Sequence, residues 1–255
     1  PCLEIRDGER FILCDAGTGL RDFGNEYMLT YGPTSPGDFH IFLTHFHWDH
    51  IQGFPFFVPA YVKGTRITVY GCHEELKKAL TLQQEPPFFP VRLKELPAEV
   101  RFIPLEPGER YEVEGFEVLG KEQNHPGLSY GYRIEKDGRT VVYSTDAEHK
   151  FDTDEEESRF TRFFDRADLL IFDAQYPVID AVTVKEHWGH SHSYQGVELA
   201  LKARVKHLCL FHNDPATSDK DLDKLLLETG KMVPLVKEAA KLKVSMAWDG
   251  RVIAI

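Results

Sequence analysis

The six residues His45-Phe46-His47-Trp48-Asp49-His50 carry four metal-ligating side chains and follow directly on the apolar run His40-Ile41-Phe42-Leu43-Thr44. A strand sends side chains to alternate faces, so His45 and His47 can point the same way, while a turn into a helix brings Asp49 and His50 round to a neighbouring point. The segment therefore asks for a strand that ends at a polar edge and a helix that starts there. One stretch of chain can then serve two metal ions.

Three further candidates stand where apolar runs give way to polar residues, and loops after strands collect functional groups. They are His125 in Gln123-Asn124-His125-Pro126-Gly127, Asp146 in Tyr143-Ser144-Thr145-Asp146, and His212 in Leu210-Phe211-His212-Asn213-Asp214. Asp146 has the carboxylate expected of a ligand bridging two cations. His45, His47 and His125 would hold the first ion, Asp49, His50 and His212 the second, and Asp146 would span both. The imidazole-rich first set suits zinc, with manganese and iron as alternatives.

The charge balance narrows the substrate. Thirty basic against 41 acidic residues leave a net charge of −11, which argues against a broad docking surface for nucleic acid or anionic lipid. Two divalent cations would bring this to about −7 and concentrate positive potential in one cleft, which suits a small anionic substrate. The 255 residues, 42% of them hydrophobic, can bury a sizeable core. With no Gly/Ser or Pro-rich linker and no internal repeat, one domain over 1–255 is expected. Cys2, Cys14, Cys72 and Cys209 are scattered without a Cys-x-x-Cys pair, so neither a thiolate zinc knuckle nor a dense disulfide framework is expected. A reducing cytoplasm is the default compartment. No apolar stretch reaches membrane-spanning length, and no charged-then-apolar leader precedes the first strand, although the chain opens at Pro1. Homo-oligomerisation stays open.

Strand-like runs fall at 10–14, 40–44, 66–70, 100–104, 116–120, 130–135, 140–144, 169–172, 207–211 and 244–248. Helical periodicity falls at 74–82, 157–165, 193–203 and 219–242, the last broken near Gly230 and Pro234. Strands dominate the first half, and strands and helices then alternate. This order suggests an α/β chain of two sheets packed face to face with helices outside, rather than one doubly wound sheet. Gln84-Glu85-Pro86-Pro87-Phe88-Phe89-Pro90 reads either as a loop over a cleft or as a surface turn. The acidic Asp152-Thr153-Asp154-Glu155-Glu156-Glu157 reads as a solvated loop or a helix start.

The His-x-His-x-Asp-His segment resembles the signature of the metallo-β-lactamase superfamily and matches it at His45, His47, Asp49 and His50. The resemblance runs over nearly the whole chain, from Cys14-Asp15-Ala16-Gly17-Thr18-Gly19 to the three later ligands. It implies the αββα sandwich, with two mainly antiparallel or mixed sheets, outer helices and a dinuclear site at the sandwich edge. It also implies at least one more strand before Pro1. The later motifs look most like the phosphodiesterase branch, which includes tRNA 3′-processing endonucleases and small cyclic-phosphate phosphodiesterases. The pointers are His125-Pro126, Tyr130-Gly131-Tyr132-Arg133, Ser144-Thr145-Asp146 and Trp188-Gly189-His190-Ser191.

In that branch a His-Ser or His-Thr ahead of a helix supplies a catalytic imidazole that is not a ligand, a role that falls on His190, with His192 as the alternative. Asp49 is a second catalytic candidate, accepting a proton while acting as a ligand. His187 reads as a loop imidazole without a task. Ser191 or Ser193 is expected to cap the following helix. Asp15 is read either as orienting a ligand histidine or as satisfying a turn. Asp173 is expected to support the site rather than to catalyse, and Glu148 and His149 to be exposed. The resemblance thus implies a metal-dependent phosphodiesterase acting on a small phosphodiester, such as a cyclic nucleotide or cyclic sugar phosphate. A tRNA 3′-processing endonuclease, or a thioester, lactam or sulfate-ester hydrolase on the same fold, is the alternative. The acidic run between Asp146 and His190 and the lack of a basic Gly/Pro-rich arm count against the endonuclease.

Overall fold

The computed structural model describes residues 1–149, 151, 153–176, 188–233 and 242–255. Asp152, His187 and Pro234, singled out above, lie outside the described residues. The chain divides into two compact units, Pro1–Gly115 and Phe116–Ile255, each built on a mixed sheet with flanking helices.

In the first unit the sheet runs in the order β1 (Leu3–Asp7), β2 (Arg10–Cys14), β3 (Asp38–Phe42), β4 (Arg66–Gly71) and β5 (Glu99–Pro104). The β1–β2 pair is antiparallel, and β2, β3, β4 and β5 are parallel neighbours. A last strand of this unit, β6, covers Arg110–Val113. The helices are α1 (Thr18–Tyr31), α2 (Trp48–Ile51) and α3 (Leu76–Gln83). Leu13, Ile41, Ile67 and Val69 from the strands form one core with Leu20 of α1 and Leu76 and Leu80 of α3. Neither β1 nor α1 stands out in the sequence. The buried face of α1 is Leu20, Gly24 and Met28, and its middle member has no side chain to register as hydrophobic. Glycine is needed there, because a Cβ on Gly24 would lie 2.7 Å from the Phe57 ring.

In the second unit the order is β12 (Lys243–Met246), β11 (His207–Phe211), β10 (Leu169–Asp173), β9 (Arg139–Ser144), β8 (Ser129–Lys136) and β7 (Phe116–Gln123). The β7–β8 and β8–β9 pairs are antiparallel, whereas β9, β10, β11 and β12 are parallel neighbours. Strand β10 is buried at all five positions, Leu-Leu-Ile-Phe-Asp, as a strand enclosed on both faces must be. Its core partners come from α4 (Asp154–Phe164) and α5 (Ser193–Lys202), with α6 (Asp219–Met232) beyond. The acidic run proves to be the start of α4. The Thr153 side chain accepts from the Glu156 backbone, the Glu156 side chain accepts from Thr153, and four acidic residues sit in the first turn.

This topology determines where polar groups emerge. Ligands in open parallel sheets gather at the carboxyl ends of strands. In the first unit the ends of β2 and β3 deliver Asp15 and the run Thr44 to His50. In the second, the adjacent ends of β9, β10 and β11 deliver Asp146, Asp173 and His212.

Candidate metal centre

In the first unit a single buried carboxylate orients two of the four ligand candidates. Strand β3 ends at Phe42, two residues before the predicted limit, because Thr44 turns its N–H to Asp15 Oδ1 at 2.9 Å instead of continuing the ladder. Thr44 also donates its hydroxyl to Asp15 Oδ1 at 2.9 Å, and its oxygen then accepts from His45 Nδ1 at 3.0 Å. His50 Nδ1 donates to Asp15 Oδ2 at 2.8 Å. Asp15 therefore orients two imidazoles, one directly and one through Thr44. It is fully buried and sits at φ 63°, a left-handed conformation that costs a non-glycine residue about 1–2 kcal/mol. Of the two alternatives for Asp15, the orienting role is the one its contacts fit, since its carboxylate reaches Thr44 and His50. Thr44 was missed by sequence reasoning, and its position immediately before His45 was the available signal.

With Nδ1 committed as a donor, the Nε2 of His45 and His50 is the atom left to face a cation. His50 Nε2 lies 3.1 Å from Asp49 Oδ2, so an imidazole and a carboxylate converge from neighbouring positions on α2. The His45 ring lies 4.5 Å from that of His47 and 4.2 Å from that of His50. Close backbone crossings hold α2 in place. Ala16 donates to His50 O at 2.7 Å and Gly53 to Ala16 O at 2.8 Å, and a Cβ on Gly53 would fall 1.8 Å from Gly17 O.

The second unit draws its candidates from four separate loops. His125 Nδ1 donates to the carbonyl of Gly189 at 2.8 Å, which fixes the tautomer and makes Nε2 the ring atom that carries a lone pair. Gly189 itself sits at φ 83°, and a Cβ there would lie 2.4 Å from His125 Nδ1, so Trp-Gly-His-Ser needs its glycine for this approach. Asp146 is buried at φ 50° and accepts from Thr145 Oγ1 at 2.7 Å. Its two oxygens face different imidazoles, Oδ2 lying 3.7 Å from His125 Nε2 and Oδ1 3.4 Å from His212 Nε2. His212 is also left-handed, at φ 60°. Backbone strain of this kind gathers at functional sites.

His190 stacks on His212 with ring centroids 5.1 Å apart and lies edge-on to His125 at 5.0 Å. Its Nδ1 donates to Asp173 Oδ2 at 2.8 Å. Asp173 is fully buried and anchored by the backbone N–H groups of Ala147 and Gln175. His192, the alternative, is the N-cap of α5 and accepts from Gln195 N at 3.2 Å. That overturns the expected serine cap. Ser191 instead donates to Ala147 O and accepts from His149, and Ser193 accepts from Thr229. Tyr176, passed over in the sequence, packs edge-on to His190 at 5.6 Å, and burial beside Asp214, Asp173 and Asp146 pushes its phenol up to about 12.

His149 was expected at the surface and is instead 1% exposed. It lies among Phe151, Phe160, Phe164 and Phe172, and burial lowers its pKa to about 3, so it is neutral and structural. Glu148 is half-buried, with its N–H on Asn124 O.

Asp146, His190 and His212 bring their ligand atoms within 4.8 Å of one another, a group that could hold a metal ion. The donor set fits a divalent cation chemically: imidazoles with Nδ1 engaged elsewhere, and a carboxylate with both oxygens facing Nε2 atoms.

A family model described as a beta-lactamase superfamily domain matches residues 10–213. The chain belongs to this family. The match contains every ligand candidate in both units. Ribonuclease Z of Picrophilus torridus is 25% identical over 277 residues, covering 87% of this chain and 82% of its own length. The short form of human tRNase Z has a TM-score of 0.67 at 20% identity, covering 100% of this chain and 92% of that one. Unliganded yeast PDE1 has a TM-score of 0.73 at 13% identity, covering 98% and 93%. These two likenesses are of fold, and they match the metallo-β-lactamase architecture expected from the signature. Among the described residues, no helix is long and apolar enough to cross a membrane.

Proposed function

We propose that the chain is a metal-dependent phosphodiesterase with a dinuclear centre in a single catalytic domain. His45, His47 and His125 would hold one ion and Asp49, His50 and His212 the other, with Asp146 available to both. The observation that carries this reading is Asp146, which turns one oxygen toward His125 Nε2 and the other toward His212 Nε2, as a bridging ligand must. The family match over 10–213, which contains all seven of these residues, supports the single-domain reading. Zinc suits so many imidazoles, with manganese or iron as alternatives.

When bound, two such ions supply a water of lowered pKa and positive charge against the phosphate oxygens. Asp49 takes the proton that the attacking water releases. His190 protonates the leaving oxygen, since its Nδ1 is fixed on Asp173, which leaves Nε2 as the ring atom that would carry the proton. Asp173 holds the ring and stabilises the imidazolium as it forms. Tyr176 limits the tilt of that ring by packing against its edge.

A small phosphodiester, such as a cyclic nucleotide or cyclic sugar phosphate, is the preferred substrate. The net charge of −11 and the four acidic residues that open α4 are unfavourable to a long phosphate backbone. The ribonuclease Z relatives favour a second reading, cleavage at the 3′ end of precursor tRNA. Hydrolysis of bis(p-nitrophenyl) phosphate without turnover of a lactam or thioester tests the reaction class. Faster turnover of a cyclic mononucleotide than of precursor tRNA supports the first reading, and the reverse supports the second.

A further inference from the structure

Four imidazoles described above each have an acceptor on Nδ1: Thr44 for His45, Asp15 for His50, Gly189 for His125 and Asp173 for His190. His212 breaks the pattern. The group at its Nδ1 is the side-chain amide of Gln175, whose Nε2 lies 3.2 Å away. An amide NH2 can only donate, so in this arrangement Nδ1 accepts and the ring proton moves to Nε2. There it faces Asp146 Oδ1, 3.4 Å distant, and fills the lone pair a metal would use. The Gln175 carbonyl oxygen, Oε1, is meanwhile buried with no hydrogen-bond partner among the described residues. Rotating the amide by half a turn exchanges two atoms of nearly equal size. Oε1 then accepts from Nδ1–H, the buried oxygen gains a partner, and Nε2 presents a lone pair.

We infer that Gln175 is a positioning residue that sets the tautomer of His212. The arrangement that lets His212 serve a cation is the one in which Oε1 accepts from Nδ1–H and Nε2 keeps its lone pair. This rests on the reading of His212 as a ligand given above. Glutamine supplies that acceptor, as glutamate would, whereas leucine offers none. Outer partners of ligating histidines typically govern metal affinity by 10- to 100-fold.

The test measures zinc affinity by competition with a chromophoric chelator for the natural protein, Gln175→Leu and Gln175→Glu. Folding is checked by circular dichroism, and the His212 ring nitrogens are followed by nitrogen-15 NMR. The expected result is about 10- to 100-fold weaker binding of one ion in Gln175→Leu. Gln175→Glu should restore or tighten it, with a protected Nδ1–H signal in the zinc-loaded natural protein and in Gln175→Glu. Two ions bound with unchanged affinity in a folded Gln175→Leu, or an Nε2–H tautomer in the loaded natural protein, would overturn this inference alone. A natural protein that binds no ion would overturn the functional reading as well.

Discussion

The two units present their imidazoles by opposite means. The first packs His45, His47, Asp49 and His50 into one strand-to-helix junction and steadies it from a single carboxylate, Asp15, with Thr44 as relay. The second draws His125, Asp146, His190 and His212 from loops far apart in sequence and gives each its own support: a backbone carbonyl, a threonine hydroxyl, Asp173 and the amide of Gln175. A compact junction concentrates the consequence of one substitution on metal binding. A distributed cluster allows the roles of ligand, proton donor and positioner to be separated by mutation.

The largest separation is expected at His190. Changing it to alanine should lower kcat on a phosphodiester with a poor leaving group by about 10²- to 10⁴-fold while metal content stays intact. Near-normal kcat on such a substrate would remove His190 from the reaction. A substrate with an activated leaving group should lose far less.

The comparison sharpens in Asp15→Asn and Asp173→Asn. Asp15→Asn should weaken metal binding by roughly 10- to 100-fold, since His50 loses its charged acceptor and the Thr44 relay is disturbed. Asp173→Asn should instead lower kcat, shift its pH profile and leave metal affinity nearly unchanged. Calorimetric zinc titrations of both variants, set beside their kcat values, would break the comparison if the two behaved alike.

A smaller effect concerns stability alone. The folded pKa of His149 is lowered to about 3 from the ordinary 6.5, so the unfolded chain binds the proton that the folded chain refuses. Stability is therefore full above pH 6.5 and is lost as pH falls toward 3, by about 2 kcal/mol between pH 6.5 and 5 from this group. Urea unfolding of metal-free protein at pH 7 and 5 should register that loss, and His149→Phe should flatten it. An identical slope in the variant would count against the buried neutral ring.

How much of this was legible in the sequence follows the same division. The first junction is local, so spacing alone exposed its candidate ligands, and the strand cores were visible because buried parallel strands read as apolar runs. Helix α1 was not, because its buried stripe passes through Gly24 under the Phe57 ring. The second cluster was legible as residues but not as roles. His190 and His192 are two positions apart, and only the fold sets one on Asp173 and the other at the start of α5. Gln175 and Tyr176 carried no signal of their own, because their importance comes from what β10 and β11 bring beside them. His149 was misjudged because nothing in its local sequence reveals the aromatic rings that enclose it.

The central claim is that Asp146 is shared by two ions, and metal stoichiometry tests it most directly. Elemental analysis of the purified, zinc-equilibrated protein should give about two ions per chain, and Asp146→Ala should retain at most one. An Asp146→Ala variant that keeps the full complement of the natural protein, or a natural protein that retains no divalent ion, would contradict the account.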